Sequence, residues 1–183
     1  AYDICHKFID PLIHGLQVIN ELAGPHRAIR PENLYFLDEN MEKVVLGPNV
    51  TAPPGFDQAP SFETIYRAMC LPEGRGLGDF SDDIFALAVT FIHFIIGYDP
   101  LAKENEDDLI FKRLENGSYY NICRNIQIPL ELIEPLQNMM LDNPTERWGA
   151  KEIIDWITEQ ITNPAEVFLP KKAKAPFLFR NRE

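Results

Sequence analysis

The sequence predicts a mainly α-helical domain that contains one small β-hairpin. Apolar residues recur at helical spacing in several separate segments, and two short apolar stretches flank a turn at residues 38–40. Hydrophobic residues make up 45% of the 183 residues and charged residues 25%, proportions that are typical of globular proteins and exclude global disorder. A chain of this length is expected to form one domain.

The first predicted helix carries apolar residues at helical spacing from Leu12 to Ala23 and ends at the glycine–proline pair of residues 24–25. Two starting points fit the pattern. Asp10 can cap a helix whose first position is Pro11, because the N–H that proline lacks would have no partner there. Alternatively, Pro11 kinks one longer helix that begins near Asp3.

The hairpin is predicted from two apolar stretches, residues 34–37 and 43–46, with an acidic turn between them. Residues 47–72 contain several prolines and fit neither the helical nor the strand period, so they are predicted to form a long loop. Loops of this length in compact domains are commonly functional or mobile.

Four helices are predicted after the loop. Ser81 or Asp82 is expected to cap the first of these helices, which is the most apolar, and Gly97 is expected to end it. A tail rich in proline and lysine, residues 163–183, follows a predicted domain of residues 1–162. The predicted helices are residues 83–96, 104–115, 130–141 and 150–161.

Charge and composition exclude several classes of partner. The chain carries 17 basic and 28 acidic residues, a net charge of −11, and such a surface repels nucleic acid. The longest apolar run, residues 84–96, is shorter than the roughly 20 residues that cross a bilayer, so no membrane insertion is expected. Three cysteines without metal-binding spacing, and no targeting segment, favour a cytoplasmic protein.

Four short motifs carry a family resemblance. Their order and spacing resemble the catalytic loop H-R-D-x-K-P-E-N, the A-P-E signature, the start of the central helix and the D-P-x-x-R signature of eukaryotic-type protein kinases. The sequence therefore resembles the large lobe of a protein kinase over about residues 3–161. The motifs are HRAIRPENL at 26–34, LPE at 71–73, SDDIFAL at 81–87 and DNPTER at 142–147.

The resemblance implies that the catalytic positions are degenerate. Ala28 stands where kinases place the catalytic aspartate, and a methyl group cannot orient a nucleophile or accept its proton. Val45 or Leu46 stands where an aspartate binds magnesium in kinases. Arg30 replaces the catalytic-loop lysine, and Asn33, a ligand of the second metal ion in kinases, is retained. The remaining loop positions are His26, which packs in kinases, and Arg27.

The resemblance also implies three structural residues. Asp83 is expected to accept hydrogen bonds from the catalytic-loop backbone, and Glu73 is expected to pair with Arg147. Arg27 has two interpretations, a pair with an acidic neighbour or a contact with a phosphate on the following loop. The candidate phosphate acceptors are Ser61, Thr64 and Tyr66. His93, in the apolar helix, is predicted to be a core histidine with satisfied hydrogen bonds.

These departures predict a catalytically inactive kinase-like domain, a pseudokinase, that acts as an interaction or regulatory module with a protein partner and no cofactor. Loss of a positioned base alone costs about 10²–10⁴ in rate. The Gly-rich loop G-x-G-x-x-G is not found in the sequence, so the kinase small lobe is expected to lie outside this chain. One alternative is a divergent serine/threonine kinase that uses Glu32 or Asp57, ATP, magnesium and an upstream small lobe. Another is a nucleotide sensor that binds ATP through Arg30 and Asn33.

Overall fold

A computed structural model describes residues 5–40, 42–49 and 55–162, and this part of the chain is mainly helical with one two-stranded antiparallel sheet. The predicted tail, residues 163–183, lies outside the described residues. Three single turns of 3₁₀-helix occur at Pro31–Asn33, Pro60–Phe62 and Pro72–Gly74. The main elements are a π-helical segment Cys5–Ile9, α1 Asp10–Ala23, β1 Leu34–Phe36, β2 Val44–Leu46, α2 Ile65–Ala68, α3 Phe80–Ile96, α4 Glu106–Asn116, α5 Ser118–Cys123, α6 Leu130–Met139 and α7 Ala150–Thr162.

The first helix follows the second of the two predicted arrangements, with Pro11 inside a longer helical run. The π-helical segment leads directly into α1, and Ile9 has helical dihedral angles, so Asp10 does not cap a new helix. A proline ring crowds the carbonyl of the preceding helical turn and removes one hydrogen bond. The wider π-helical turn lies immediately before Pro11, where that crowding would occur.

Helix α3 forms the centre of the core. Every residue from Asp82 to His93 is buried, which is the pattern of a helix surrounded by other elements on all sides. Helix α1 packs against α3, α7 and β2, and α6 packs against α3 from another direction. Within the described residues, no helix is long and apolar enough to cross a membrane.

The predicted cap of α3 is wrong by two or three positions. Asp79, and not Ser81 or Asp82, precedes the first helical turn and accepts a hydrogen bond from the Asp82 backbone N–H at 3.2 Å. The Asp82 carboxylate in turn accepts from the Asp79 N–H at 2.8 Å, so the two aspartates form a reciprocal capping box. The predicted end is confirmed, because Gly97 adopts the left-handed conformation with φ 77°.

The predicted hairpin is confirmed. Strands β1 and β2 pair with Leu34 opposite Leu46, and the Asp38 carboxylate closes the turn by accepting the backbone N–H groups of Glu42 and Lys43. Beyond the strands, the Gly47 N–H donates to the Asn33 carbonyl at 2.8 Å. The hairpin therefore holds residues 47–49 beside the loop that precedes β1.

The three other long helices lie close to their predicted positions, and the structure adds two short helices. Helices α4, α6 and α7 lie within two residues of their predicted bounds at every end. The predicted loop contains the short helix α2, and α5 was not predicted. Helix α5 depends on a distant contact, because Asp142 accepts the backbone N–H of Ser118 at 2.9 Å and also its hydroxyl.

Replacing the cap residue, Asp79→Ala, is expected to lower the free energy of unfolding by about 1 kcal/mol, because the Asp82 N–H at the start of α3 loses its side-chain partner. Urea unfolding measures this change. The matched control is Glu115→Ala, which removes an exposed carboxylate at the end of α4 and is expected to change stability by less than ~0.5 kcal/mol. Equal effects of the two substitutions would contradict the capping role.

Candidate functional site

The loop of residues 26–33 connects α1 to the hairpin and is tied to the central helix by one carboxylate. Asp83, 1% exposed on α3, accepts the backbone N–H of His26 at 2.7 Å and that of Arg27 at 2.8 Å. These are the contacts that the sequence led us to expect. Arg27 has φ 59°, a strained conformation for a residue with a side chain, and the two hydrogen bonds hold the backbone there.

Burial changes the proton affinity of this carboxylate. Loss of solvation raises the pKa of Asp83 from 3.8 to about 7, although the two backbone N–H groups and the nearby Arg27 oppose the shift. The loop is therefore anchored on a group whose charge is sensitive to pH near neutrality.

Arg27 and Glu63 form a buried ion pair beside this anchor. The Nη2 of Arg27 lies 2.5 Å from Oε2 of Glu63, and both side chains are 2% exposed. Arg75 approaches the other oxygen of Glu63 at 3.9 Å. Burial raises the pKa of Glu63, and the two arginines counteract the rise. Of the two interpretations of Arg27, the structure therefore favours the pair with an acidic neighbour.

Two glycines allow the backbone to approach this ion pair. Gly55 and Gly78 have φ 72° and 77°, and a Cβ atom at Gly78 would lie only 2.1 Å from Nη1 of Arg27. Arg27 also donates to the Leu77 carbonyl at 3.2 Å. The segment before α3 is thus wrapped closely around the guanidinium, and this leaves no room for a side chain at residue 78.

The candidate phosphate acceptors near Arg27 are mostly inaccessible. Ser61 and Thr64 are buried, and the Thr64 hydroxyl donates to the Asp82 carboxylate at 2.9 Å. Tyr66 is 62% exposed on α2. The Arg27 guanidinium is already held by Glu63, so a phosphate would have to displace a buried carboxylate.

The expected pair between Glu73 and Arg147 is not present. Glu73 is exposed, while Arg147 is buried and donates to the carbonyl of Leu141 at 2.8 Å and to the hydroxyl and carbonyl of Ser81. Arg147 therefore joins the residues before α7 to the start of α3 through neutral acceptors. The buried acid of the segment before α3 is Glu63, ten residues earlier than predicted.

Arg113 is another buried residue that the sequence did not single out. Its side chain is 1% exposed and donates to the carbonyls of Pro60 and Glu63 at 2.8 and 2.7 Å and to the Ser118 hydroxyl. Burial lowers the pKa of Arg113 to about 10. The only sequence signal was one arginine on the same helical face as the apolar Leu109.

His26, Ala28 and Asn33 are joined by hydrogen bonds. The Ala28 N–H donates to Nδ1 of His26 at 3.3 Å, and Nε2 of His26 lies 3.2 Å from the Gly47 carbonyl. Burial lowers the pKa of His26, which favours the neutral ring that this pattern requires. Asn33 donates to the carbonyls of Ala28 and Asn49 at 2.9 and 2.8 Å. The loop and the end of the hairpin are thus adjacent.

The remaining polar candidates do not converge on one point with these residues. Arg30 donates to the Asp57 carbonyl at 2.9 Å and lies 3.4 Å from the Gln58 side-chain oxygen. Glu32 and Asp57 are exposed. Ala28 is fully buried, and Val45 and Leu46 are half-buried. In the part of the chain that the structure describes, no three histidine, cysteine or acidic side chains are grouped as metal ligands.

Two cavities lie outside the hydrogen-bond network of His26, Ala28 and Asn33, although the smaller one reaches Pro31 and Glu32 at the end of the loop. The larger, about 660 Å³, borders α5 and α6 and is lined by residues such as Tyr119, Ile128 and Ile133. The smaller, about 380 Å³, is lined by Glu32 and by residues of β1 and the end of α3. His26, Arg27, Ala28, Arg30 and Asn33 line neither of them.

Comparison with known proteins does not assign the chain. No protein-family model matches the sequence, and no curated protein matches it significantly.

The buried ion pair can be tested against the predicted one. Glu63→Ala is expected to lower the free energy of unfolding by about 3–5 kcal/mol, because it leaves the Arg27 guanidinium buried without its partner. Glu73→Ala, the matched control at the predicted position, is expected to change it by less than ~0.5 kcal/mol. Urea unfolding distinguishes the two residues. A large loss in Glu73→Ala with little change in Glu63→Ala would contradict the observed pairing.

The buried carboxylate predicts a pH dependence. Because the pKa of Asp83 is about 7 in the folded protein and 3.8 when unperturbed, the folded state holds more protons between these values. The contribution of Asp83 to stability is therefore full at low pH and decreases as the pH rises through about 7. NMR titration of the Asp83 carboxyl carbon should give a midpoint near 7. A midpoint at or below the ordinary value would contradict it.

Asp83→Asn provides the matched variant for the same effect. It is expected to be less stable than the parent at every pH, since the amide NH₂ faces a backbone N–H. Its stability should, however, decrease less between about pH 5 and pH 7, because one titrating group has been removed. Identical pH slopes in the parent and the variant would show that Asp83 does not titrate in this range.

Proposed function

We propose that this chain is the large lobe of a catalytically inactive protein-kinase-like domain, a pseudokinase, that acts by interacting with or regulating another protein. The observation that carries the proposal is Ala28, a fully buried alanine in a motif that resembles a kinase catalytic loop. Phosphoryl transfer from ATP needs a carboxylate to orient the acceptor hydroxyl and another to hold magnesium. No carboxylate is supplied at these positions, because Ala28, Val45 and Leu46 all have apolar side chains.

The contacts of the loop give further support. Asp83 anchors the loop backbone, as the kinase resemblance implies, while Arg30 and the amide nitrogen of Asn33 donate to backbone carbonyls. Arg30 binds the carbonyl of Asp57, and Asn33 binds two backbone carbonyls through its amide nitrogen. Both residues therefore stabilise the loop in the conformation observed, although the side-chain oxygen of Asn33 has no hydrogen-bond partner among the described residues.

One departure weakens two of the four motifs, because Glu73 belongs to LPE and Arg147 belongs to DNPTER. Glu73 of the LPE motif is exposed and does not pair with Arg147, so the A-P-E correspondence rests on sequence letters alone. Glu63 holds a comparable buried position with Arg27 and Arg75. The proposal therefore depends on the catalytic-loop and central-helix motifs, which Asp83 joins.

A protein partner is favoured by the surface of the segment before α3. Tyr66, Met69, Leu71 and Leu77 are all large and apolar, and each is between 47% and 78% exposed. Protein interfaces commonly bury side chains of this kind. An interaction role needs such a surface and does not need the missing carboxylates.

The test is a phosphotransfer assay with radiolabelled ATP and magnesium on the full natural protein that contains this chain. We expect no incorporation into the protein or a general protein acceptor, and no increase in melting temperature with ATP that depends on magnesium. Glu32→Gln and Asp57→Asn are expected to behave like the parent, as is the control Glu39→Gln in the hairpin turn.

The proposal is wrong if phosphate is incorporated and if Glu32→Gln or Asp57→Asn abolishes this incorporation while Glu39→Gln does not. That result would identify a divergent kinase. Stabilisation by ATP without magnesium and without turnover would instead identify a nucleotide sensor. In that case Arg30→Ala should remove the stabilisation, because Arg30 is the cation of the loop with partly solvent-accessible surface.

A further inference from the structure

The smaller cavity has the composition of a binding site for an organic cation. It lies between the π-helical segment, the start of β1 and the end of α3, and its volume of about 380 Å³ is within the range of small-molecule sites. Its walls are mostly apolar, with two carboxylates and no lysine or arginine among them. The lining residues used below are Phe8, Glu32, Phe36, His93, Phe94 and Asp99.

Three aromatic rings form the apolar wall. Phe94 stacks on Phe8 with ring centroids 4.6 Å apart, and Phe36 lies 5.8 Å from Phe94 in a tilted arrangement. Phe94 is 40% exposed, so part of its ring is left uncovered by the described part of the chain. The faces of aromatic rings carry partial negative charge and attract cations.

His93 places an unsatisfied polar atom in this wall. Its side chain is only 9% exposed, and its Nε2 has no hydrogen-bond partner among the described residues. This corrects the prediction of a satisfied core histidine. Burial lowers the pKa of His93, so the ring is neutral near pH 7 and can offer one nitrogen as an acceptor.

A carboxylate lies beside this nitrogen. Oδ1 of Asp99 lies 3.5 Å from Nε2 of His93 without forming a hydrogen bond, and it already accepts the Leu101 backbone N–H at 2.8 Å. Glu32, on the same cavity, adds negative potential at His93. A donor with a positive charge would satisfy both acceptors at once.

We propose that this cavity binds a small organic amine in its protonated form. The ammonium group donates to Nε2 of His93 and to the Asp99 carboxylate, with Glu32 contributing to its electrostatic stabilisation. The apolar body of the amine packs against Phe8, Phe36 and Phe94. Aromatic walls favour an organic cation over a strongly hydrated metal ion. The proposal does not depend on the kinase resemblance.

The first test compares three probes of similar shape and different charge by NMR titration of the protein: 2-phenylethylammonium, 2-phenylethanol and 3-phenylpropanoate. The ammonium probe is expected to bind about tenfold more tightly than the alcohol, because its positive charge strengthens the hydrogen bond to the carboxylate, and the carboxylate probe is expected not to bind. The resonances of His93 and Phe94 should shift with the ammonium probe. Equal affinity for the ammonium and the alcohol, tighter binding of the anion, or no binding of the ammonium probe would overturn the proposal.

The second test uses an exposed residue, so that folding is preserved. Asp99→Asn keeps an oxygen for the Leu101 N–H and removes the charge, and it is expected to weaken ammonium binding by about tenfold while leaving alcohol binding unchanged. Asp107→Asn, an exposed aspartate on α4, is the matched control and should bind like the parent. If Asp99→Asn and Asp107→Asn bind the ammonium probe equally well, the proposed site is wrong.

Discussion

The contact between the Asp83 carboxylate and two backbone N–H groups determines the arrangement of the candidate site. Asp83 lies on the most buried helix and binds the loop at His26 and Arg27. With the backbone fixed there, Arg27 adopts a positive φ angle and its side chain turns toward Glu63, while His26 turns toward the end of the hairpin. A buried carboxyl group that accepts two hydrogen bonds is costly to move, because any displacement leaves its oxygens and the two N–H groups buried without partners.

Buried arginines extend this anchor to the rest of the fold. Arg27 and Arg75 hold Glu63, and Arg113 and Arg147 donate to the backbone carbonyls of Pro60 and Leu141, which lie outside the main helices and strands. An irregular segment can be buried only if its peptide groups find such donors. The arginines of the 26–33 loop serve the fold in the same way, since Arg27 holds Glu63 and Arg30 donates to the Asp57 carbonyl.

The sequence was most informative where one local rule decided the structure. The apolar run of α3, the turn that Asp38 closes and the end of α3 at Gly97 were all visible in short windows of sequence. The prediction for the cap of α3 was wrong because several acidic or hydroxyl residues lie close to the start of the helix, and each of them is a residue type that can cap a helix. Only the backbone geometry of Asp79 selects among them. Helix α5 was missed for a different reason, since its first turn depends on Asp142, far away in sequence.

By itself, the sequence determined the helical class and the hairpin, because these depend on residue type and local spacing. The tertiary structure alone decided which acid pairs with Arg27, that Arg147 binds carbonyls, and that His93 faces Asp99 across an aromatic cavity. Partners of buried charges are chosen by distances between elements remote in the chain. Glu63 and Glu73 are the same residue type in the same segment, and only burial distinguishes them.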